Sequence, residues 1–275
     1  MAKRKKILYV SSEIFPFLPQ TDMSHIGRHL PQAIQEAGGE IRLFMPKYGC
    51  INERRNQLHE VIRLSGMNLI INEIDRPLII KVASITAARM QVYFIDNEDY
   101  FQRKLLYRNE DDQFFEDNDE RGIFFARGVL ETVKKLRWMP TIVHCHGWLS
   151  HLLPMYLKKA YRDDPLFAKT RVVVSLYNDL TTETFNKSMR DKAMAPGLKT
   201  KDMEWLEDPT ALHLAKTAVQ YADGIVMAAP QIDSKLETYV KERKVPILPY
   251  VDPQVPDSTY LSDYNNFYDQ ISGIK

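Results

Sequence analysis

The chain has 275 residues, 44% of them apolar and 27% charged. That length suits one or two domains with a sizeable buried core, and the composition excludes a disordered or fibrous chain. Thirty-seven Lys and Arg balance 36 Asp and Glu, so bulk charge provides no reason to bind nucleic acid or an anionic membrane. The basic start Met1–Lys6 reads as a solvated terminus. No apolar run approaches the roughly 18 residues of a membrane span, and the short run Ile7–Val10 is no secretory segment. Two cysteines, Cys50 and Cys145, build no disulfide framework, so a reducing cytoplasm is the expected location.

Lys6–Val10 reads as a buried strand. A Pro-rich loop follows, and Asp22 or Ser24 is the expected N-cap of a helix with Ile26, Leu30, Ala33, Ile34 and Ala37 at helical spacing. Gly38-Gly39 closes that helix, and Ile41–Met45 is the next strand. This βαβ unit implies a parallel sheet. His59–Leu64, Leu69–Asn72, Leu78–Ser84 and Gln91–Ile95 read as strands of an antiparallel elaboration, with Asn72–Pro77 as a turn. The acidic stretch Asn109–Glu120 reads as a solvated loop, its spacing matching no calcium loop.

Arg121–Arg137 is a predicted helix ended by Pro140. Thr141–His146 is a strand, Leu149–Tyr161 a helix, and Arg171–Leu176 a strand. Pro209–Ala222 is a helix, Gly224–Ala228 a strand, Ile232–Glu242 a helix and Val245–Leu248 the last strand. The alternation predicts an α/β fold, a single doubly wound Rossmann-like domain over residues 1–252. Residues 253–275 form a tail in which Tyr260, Leu261, Tyr264, Phe267, Tyr268 and Ile271 define a short amphipathic helix.

In a doubly wound fold, ligands bind at the C-terminal ends of the strands. Three segments fall there: Ser11–Ser24, His144–Trp148 and Tyr177–Asp179. His144 and His146 share one strand face. As metal ligands they lack a third partner nearby in sequence, so no metal and no cofactor is expected. They read either as ligand contacts or as histidines bonded within the core. The first loop has no glycine before Gly27 and carries Asp22, which opposes a nucleotide phosphate. Tyr177-Asn178-Asp179 offers polar groups to a sugar, or is simply a turn. Among the aromatics, Tyr100, Phe101, Phe114 and Phe115 read either as stacking platforms for sugar rings or as core. No nucleophile elbow, zincin or Walker motif is present.

Several separated segments resemble the N-terminal domain of bacterial glycogen synthases and plant starch synthases, in the family's order. They are KILYVSSEIFPFL, GRHLPQAIQEAGGEIRLFMPKYG, QVYFIDNEDYFQR, DNDERGIFFARGVLETVKKLRWMPTIVHCHGW and LAKTAVQYADGIVMAAP. The resemblance implies half of a two-Rossmann GT-B glycosyltransferase. The family reaction is glucose transfer from ADP-glucose to an α-1,4-glucan, with the donor bound by a second domain. Leu248–Asp252 resembles the crossover between the two domains.

The cleft positions depart from the family. Its Lys-Thr-Gly-Gly-Leu loop falls on Pro19, Gln20, Thr21, Asp22 and Met23. Its His-x-His-Asp-Trp motif is His144-Cys145-His146-Gly147-Trp148, with Gly147 in place of a sugar-contacting aspartate. Tyr177 stands for a histidine, Asn178 is retained, and Ser-Pro-Thr-Tyr reads Ala229-Pro230-Gln231-Ile232. The expectation is a glycogen synthase-like domain that keeps an α-glucan- or partner-binding face and is not catalytic alone. Its cleft candidates are Pro19, Gln20, Thr21, Asp22, Ser24, His144, His146, Gly147, Trp148, Tyr177 and Asn178. The alternatives are an enzyme completed by a second copy or by a partner chain supplying the donor domain, and an α/β binding protein for an unrelated ligand.

Overall fold

The computed structural model describes residues 4–255 and 259–273. Residues 1–3 of the basic start lie outside them. β1 (Lys6–Ser11) is buried from Ile7 onward, as a strand covered on both faces must be. α1 (Asp22–Glu36) is capped by Thr21 rather than by Asp22 or Ser24. The Thr21 hydroxyl accepts from the Ser24 backbone N–H, and the Ser24 hydroxyl accepts from the Thr21 N–H. This reciprocal pairing satisfies two otherwise orphaned donors. Gly38 at φ 92° then turns the chain into β2 (Glu40–Pro46).

The antiparallel elaboration comprises β3 (His59–Glu60), β4 (Met67–Ile71), β5 (Ile74–Ile85) and β6 (Met90–Asp96). Two sequence expectations need correction here. The turn is only Asn72-Glu73, both at positive φ, because Ile71 pairs with Ile74 across a two-residue hairpin. Ile74–Pro77 therefore belongs to β5. Only His59–Glu60 of the stretch His59–Leu64 is strand, since the backbone N–H of Leu64 bonds the Val61 carbonyl in a turn.

α2 (Glu98–Phe101) precedes α3 (Asn118–Leu136). The end of the acidic stretch is thus helix, not solvated loop. Asp119 and Glu120 are buried, and the Lys192 ammonium meets them at 3.0 and 2.9 Å, as buried charges require. β7 (Ile142–His146) leads through a 3₁₀ turn at Trp148–Ser150 into α4 (Leu153–Lys159). This helix starts later than its pattern suggested, because Pro154 suits a first turn and not an interior. β8 (Arg171–Leu176), α5 (Met189–Lys192), a 3₁₀ segment Thr200–Glu207 and α6 (Ala211–Gln220) follow. The chain continues through β9 (Gly224–Met227), α7 (Ser234–Glu242), β10 (Ile247–Leu248) and α8 (Tyr260–Ser272).

The sheet runs β10-β9-β8-β7-β1-β2-β6-β5-β3, with β4 also paired to β5. Pairing is parallel from β10 to β6 and antiparallel beyond. The chain leaves β1 in one direction and β7 in the other, so the topological switch lies between these two strands. Right-handed crossovers place α3, α4, α6 and α7 on one face and α1 on the other. Neighbour packing follows that split: α3 on α4, α4 on α6, α6 on α7, and α1 on α8.

α1 cannot cover seven parallel strands by itself. α8 closes the remainder of its face by burying Tyr260, Tyr264, Phe267, Tyr268 and Ile271. Gly224 makes room for it, because a Cβ there would lie 2.6 Å from Ile271 and 2.9 Å from Phe267. Lys5 fastens its outer side through Asn265 at 2.8 Å and Asp269 at 2.7 Å. Phe267→Ala is expected to cost about 3–5 kcal/mol, seen as a lower urea midpoint with an unchanged slope. A cost below about 1 kcal/mol would show that α8 is not docked in solution.

Candidate functional site

Three strand ends converge at the switch point. β1 delivers Glu13 and the chain returns through Met23 at the start of α1, β7 delivers Trp148, and β8 delivers Asp179 and Thr181. With Tyr107, Arg108 and Phe114 from the loop before α3, they line a cavity of about 110 Å³. That is well below the roughly 300–1,000 Å³ of drug-sized sites.

The wall is aromatic. The ring centroids of Tyr107 and Phe114 lie 5.1 and 6.0 Å from that of Trp148, and Phe185 backs Trp148 at 5.4 Å. Edge-on and tilted arrangements of this kind hold rings rigidly. Polar groups point in around it. Thr21 donates its hydroxyl to Glu13 at 2.7 Å. Asp179 keeps one carboxylate oxygen buried and unpartnered by protein. Burial pushes the Asp179 carboxyl up to about 6, and nearby Glu13 adds to this. Arg108 is the cation of the lining, and Glu183 neutralises it at 2.7 Å. The balance is anionic. Such a cavity repels phosphate and offers acceptors to the hydroxyls of a neutral sugar.

The predicted residues divide into three groups. Trp148 lines the cavity. Pro19, Gln20, Thr21, Asp22 and Asn178 are exposed around or beyond the strand ends. Thr21 and Ser24 serve the α1 cap, and the Asp22 carboxylate accepts from the Gln254 side chain at 2.9 Å. His144, His146 and Tyr177 lie in the core. The two imidazoles lie tilted against each other with centroids 3.9 Å apart. His144 shares hydrogen bonds with Tyr268 of α8 at 2.6 Å and Ser175 at 2.8 Å, and His146 with Tyr177 at 2.9 Å. Burial drives His144 well below the usual imidazole range and His146 down to about 3. Both are therefore neutral at physiological pH. Among the described residues, no group of three or more His, Cys, Asp or Glu is arranged to hold a metal ion.

Gly147 sits at φ 79° and ψ 157°, a region open essentially to glycine. A Cβ there would lie 2.5 Å from the Ser12 hydroxyl and 2.8 Å from the Met23 sulfur. No side chain fits at this position without a backbone shift. Sequence reasoning singled out Phe114 among the aromatics and placed the segments holding Glu13, Met23 and Asp179 at the strand ends, but missed Tyr107, Arg108 and Thr181 as lining residues. No local pattern marks those three, which lie on the loops before α3 and after β8.

This fold is that of one Rossmann-like half of the GT-B architecture. The chain belongs to the starch synthase catalytic domain family, whose profile matches residues 6–242. It is 35% identical over 254 residues to a glycogen synthase of Chlorobium limicola, spanning 89% of this chain and 52% of that protein. A glycogen synthase of Chlorobium luteolum is 40% identical over 183 residues, 65% of this chain and 37% of the relative. The catalytic domain of starch synthase IV from Arabidopsis thaliana, solved with ADP and acarbose, superposes with a TM-score of 0.71 at 16% identity. It covers 90% of this chain and 52% of that one. The chain spans about half the length of the curated relatives it matches.

Two stability predictions follow from the site geometry. Gly147→Ala is expected to lose several kcal/mol, and a midpoint within about 0.5 kcal/mol of the parent would contradict the backbone described. Asp179 has its folded-state pKa raised from 3.8 to about 6, so the fold loses stability as pH rises between those values and carries the full penalty above pH 6. Asp179→Asn should then stabilise the chain at pH 8 by on the order of 1–3 kcal/mol, and the gain should vanish by pH 4. Thermal melts across that range check it, and a gain independent of pH would refute the assignment.

Proposed function

We propose that this glycogen synthase-like domain holds the end of an α-glucan chain in the cavity at the β1, β7 and β8 ends, and does not transfer glucose by itself. The observation that carries this reading is the lining: an aromatic wall of Trp148, Tyr107 and Phe114 facing the carboxylates Glu13 and Asp179. Aromatic faces take the C–H surface of a sugar ring, and carboxylates accept from its hydroxyls. The acarbose in the Arabidopsis starch synthase structure, a sugar-like ligand, suits the same ligand class.

Two observations support the second half of the reading. The departing diphosphate of a nucleotide sugar needs preorganised positive charge or backbone N–H groups. The loop aligned with the family's Lys-Thr-Gly-Gly-Leu segment presents Pro19, Gln20, Thr21 and Asp22 instead, with Thr21 committed to the α1 cap. At Gly147 the backbone has no room for the family's aspartate. The free thiols of Cys50 and Cys145 suit a reducing cytoplasm, where this function would operate.

Co-sedimentation with glycogen and calorimetry with maltopentaose test the binding. The chain should pellet with glycogen. Phe114→Ala should weaken maltopentaose by about threefold to tenfold, measured well below the melting temperature of the variant. No pelleting and no heat of binding would refute the reading. Glucose transfer from ADP-glucose to glycogen should be undetectable with the chain alone. Turnover that persists through repurification would instead favour an enzyme whose site is completed between copies.

A further inference from the structure

The pole of the sheet opposite the cavity carries a larger hollow, of about 880 Å³, where β1, β7 and β8 begin. Five cationic side chains line it: Arg4, Lys6, Lys158, Lys169 and Arg171. No carboxylate belongs to its lining among the described residues. In a chain of net charge +1, this concentration is not a bulk effect. Two carboxylates reach the cations from outside the hollow. Asp223 pairs with Lys158 at 2.6 Å and Arg171 at 3.2 Å, and Glu40 with Lys6 at 3.4 Å. Arg4 donates to the Gly38 carbonyl at 2.7 Å. Lys169 is exposed and meets no carboxylate among the described residues.

Cations beside a helix C-terminus can simply offset the helix dipole. That accounts for Lys158 in the last turn of α4. It also covers Arg4, which donates to the Gly38 and Gly39 carbonyls just past the end of α1, but not Lys6 and Arg171, which open strands, nor Lys169, which precedes β8. One-signed lining in a concave site focuses the field and raises the local concentration of anions. Met139 and Leu166 add an apolar wall to the same hollow, so an anion there has room and contacts for an uncharged remainder.

We propose that this hollow binds a phosphate ester of a small metabolite. Lys169, Arg171 and Arg4 meet the phosphate through charge-assisted hydrogen bonds, and the Met139–Leu166 wall takes the sugar or base it carries. The site is independent of the glucan cavity, which lies at the other ends of the same strands and has the opposite charge balance.

Calorimetry on the full chain at low and moderate salt tests it with three probes: inorganic phosphate, glucose 6-phosphate and AMP. At least one ester should bind saturably, more tightly than inorganic phosphate, and more weakly as salt rises. A preference for glucose 6-phosphate or for AMP identifies the group the apolar wall accepts. Lys169→Glu should weaken the ester by about tenfold or more, as should the pair Lys169→Ala with Arg171→Gln, whose exposed side chains leave the fold intact. Maltopentaose binding should be the same in all of them. Absence of ester binding, esters no tighter than inorganic phosphate, or binding that survives Lys169→Glu would each overturn the proposal. A glucan result in either direction leaves it standing.

Discussion

A parallel sheet must be covered on both faces, and right-handed crossovers dictate which helices are available for each. Here they place α3, α4, α6 and α7 on one side and only α1 on the other. α8 supplies the missing cover. Its Tyr268 reaches the ring of His144 at 2.6 Å, and its Phe267 and Ile271 occupy the space that Gly224 leaves open. The histidine pair at the end of β7 is therefore a core feature. Buried and neutral, it stiffens the strand that presents Gly147 and Trp148 and offers no charge to a ligand.

The cleft follows from the same arrangement. Strands that diverge at the switch between β1 and β7 leave a crevice at their C-terminal ends, and loops fill part of it. Gly147 lets the chain cross tightly over Ser12, so Trp148 lies on the floor of the crevice with Tyr107 and Phe114 beside it. Glu13 and Asp179 make the crevice acidic, and Glu183 cancels Arg108. At the strand starts, cations outnumber the carboxylates that pair with them. The two poles thus present opposite fields, which suits neutral sugar at one and phosphate at the other.

Much of the fold was readable because the strands are buried on both faces. Ile7–Val10 and Val172–Val174 are short apolar runs entered from a charged residue, and α1 carries a helical period with glycines at its end. The region from Met189 to Glu207 has no such pattern. Its short helix and 3₁₀ turns depend on tertiary contacts such as Lys192 with Asp119, across more than 70 residues of chain. The site was readable only in part. Strand ends can be placed from sequence, and so can Trp148. The approach of Tyr107, Arg108 and Thr181 to Glu13 joins separate loops, and no local spacing encodes it. Likewise, the spacing of His144 and His146 shows that they share a face but not that α8 covers it.

A crystal structure of the chain grown with maltotetraose shows directly whether the cavity holds a glucan end. Density for a glucose ring should lie against Trp148 between Tyr107 and Phe114, with its hydroxyls donating to Asp179 and Glu13. A sugar bound only elsewhere on the chain, or an empty cavity in crystals whose solution binds the ligand, would contradict the account.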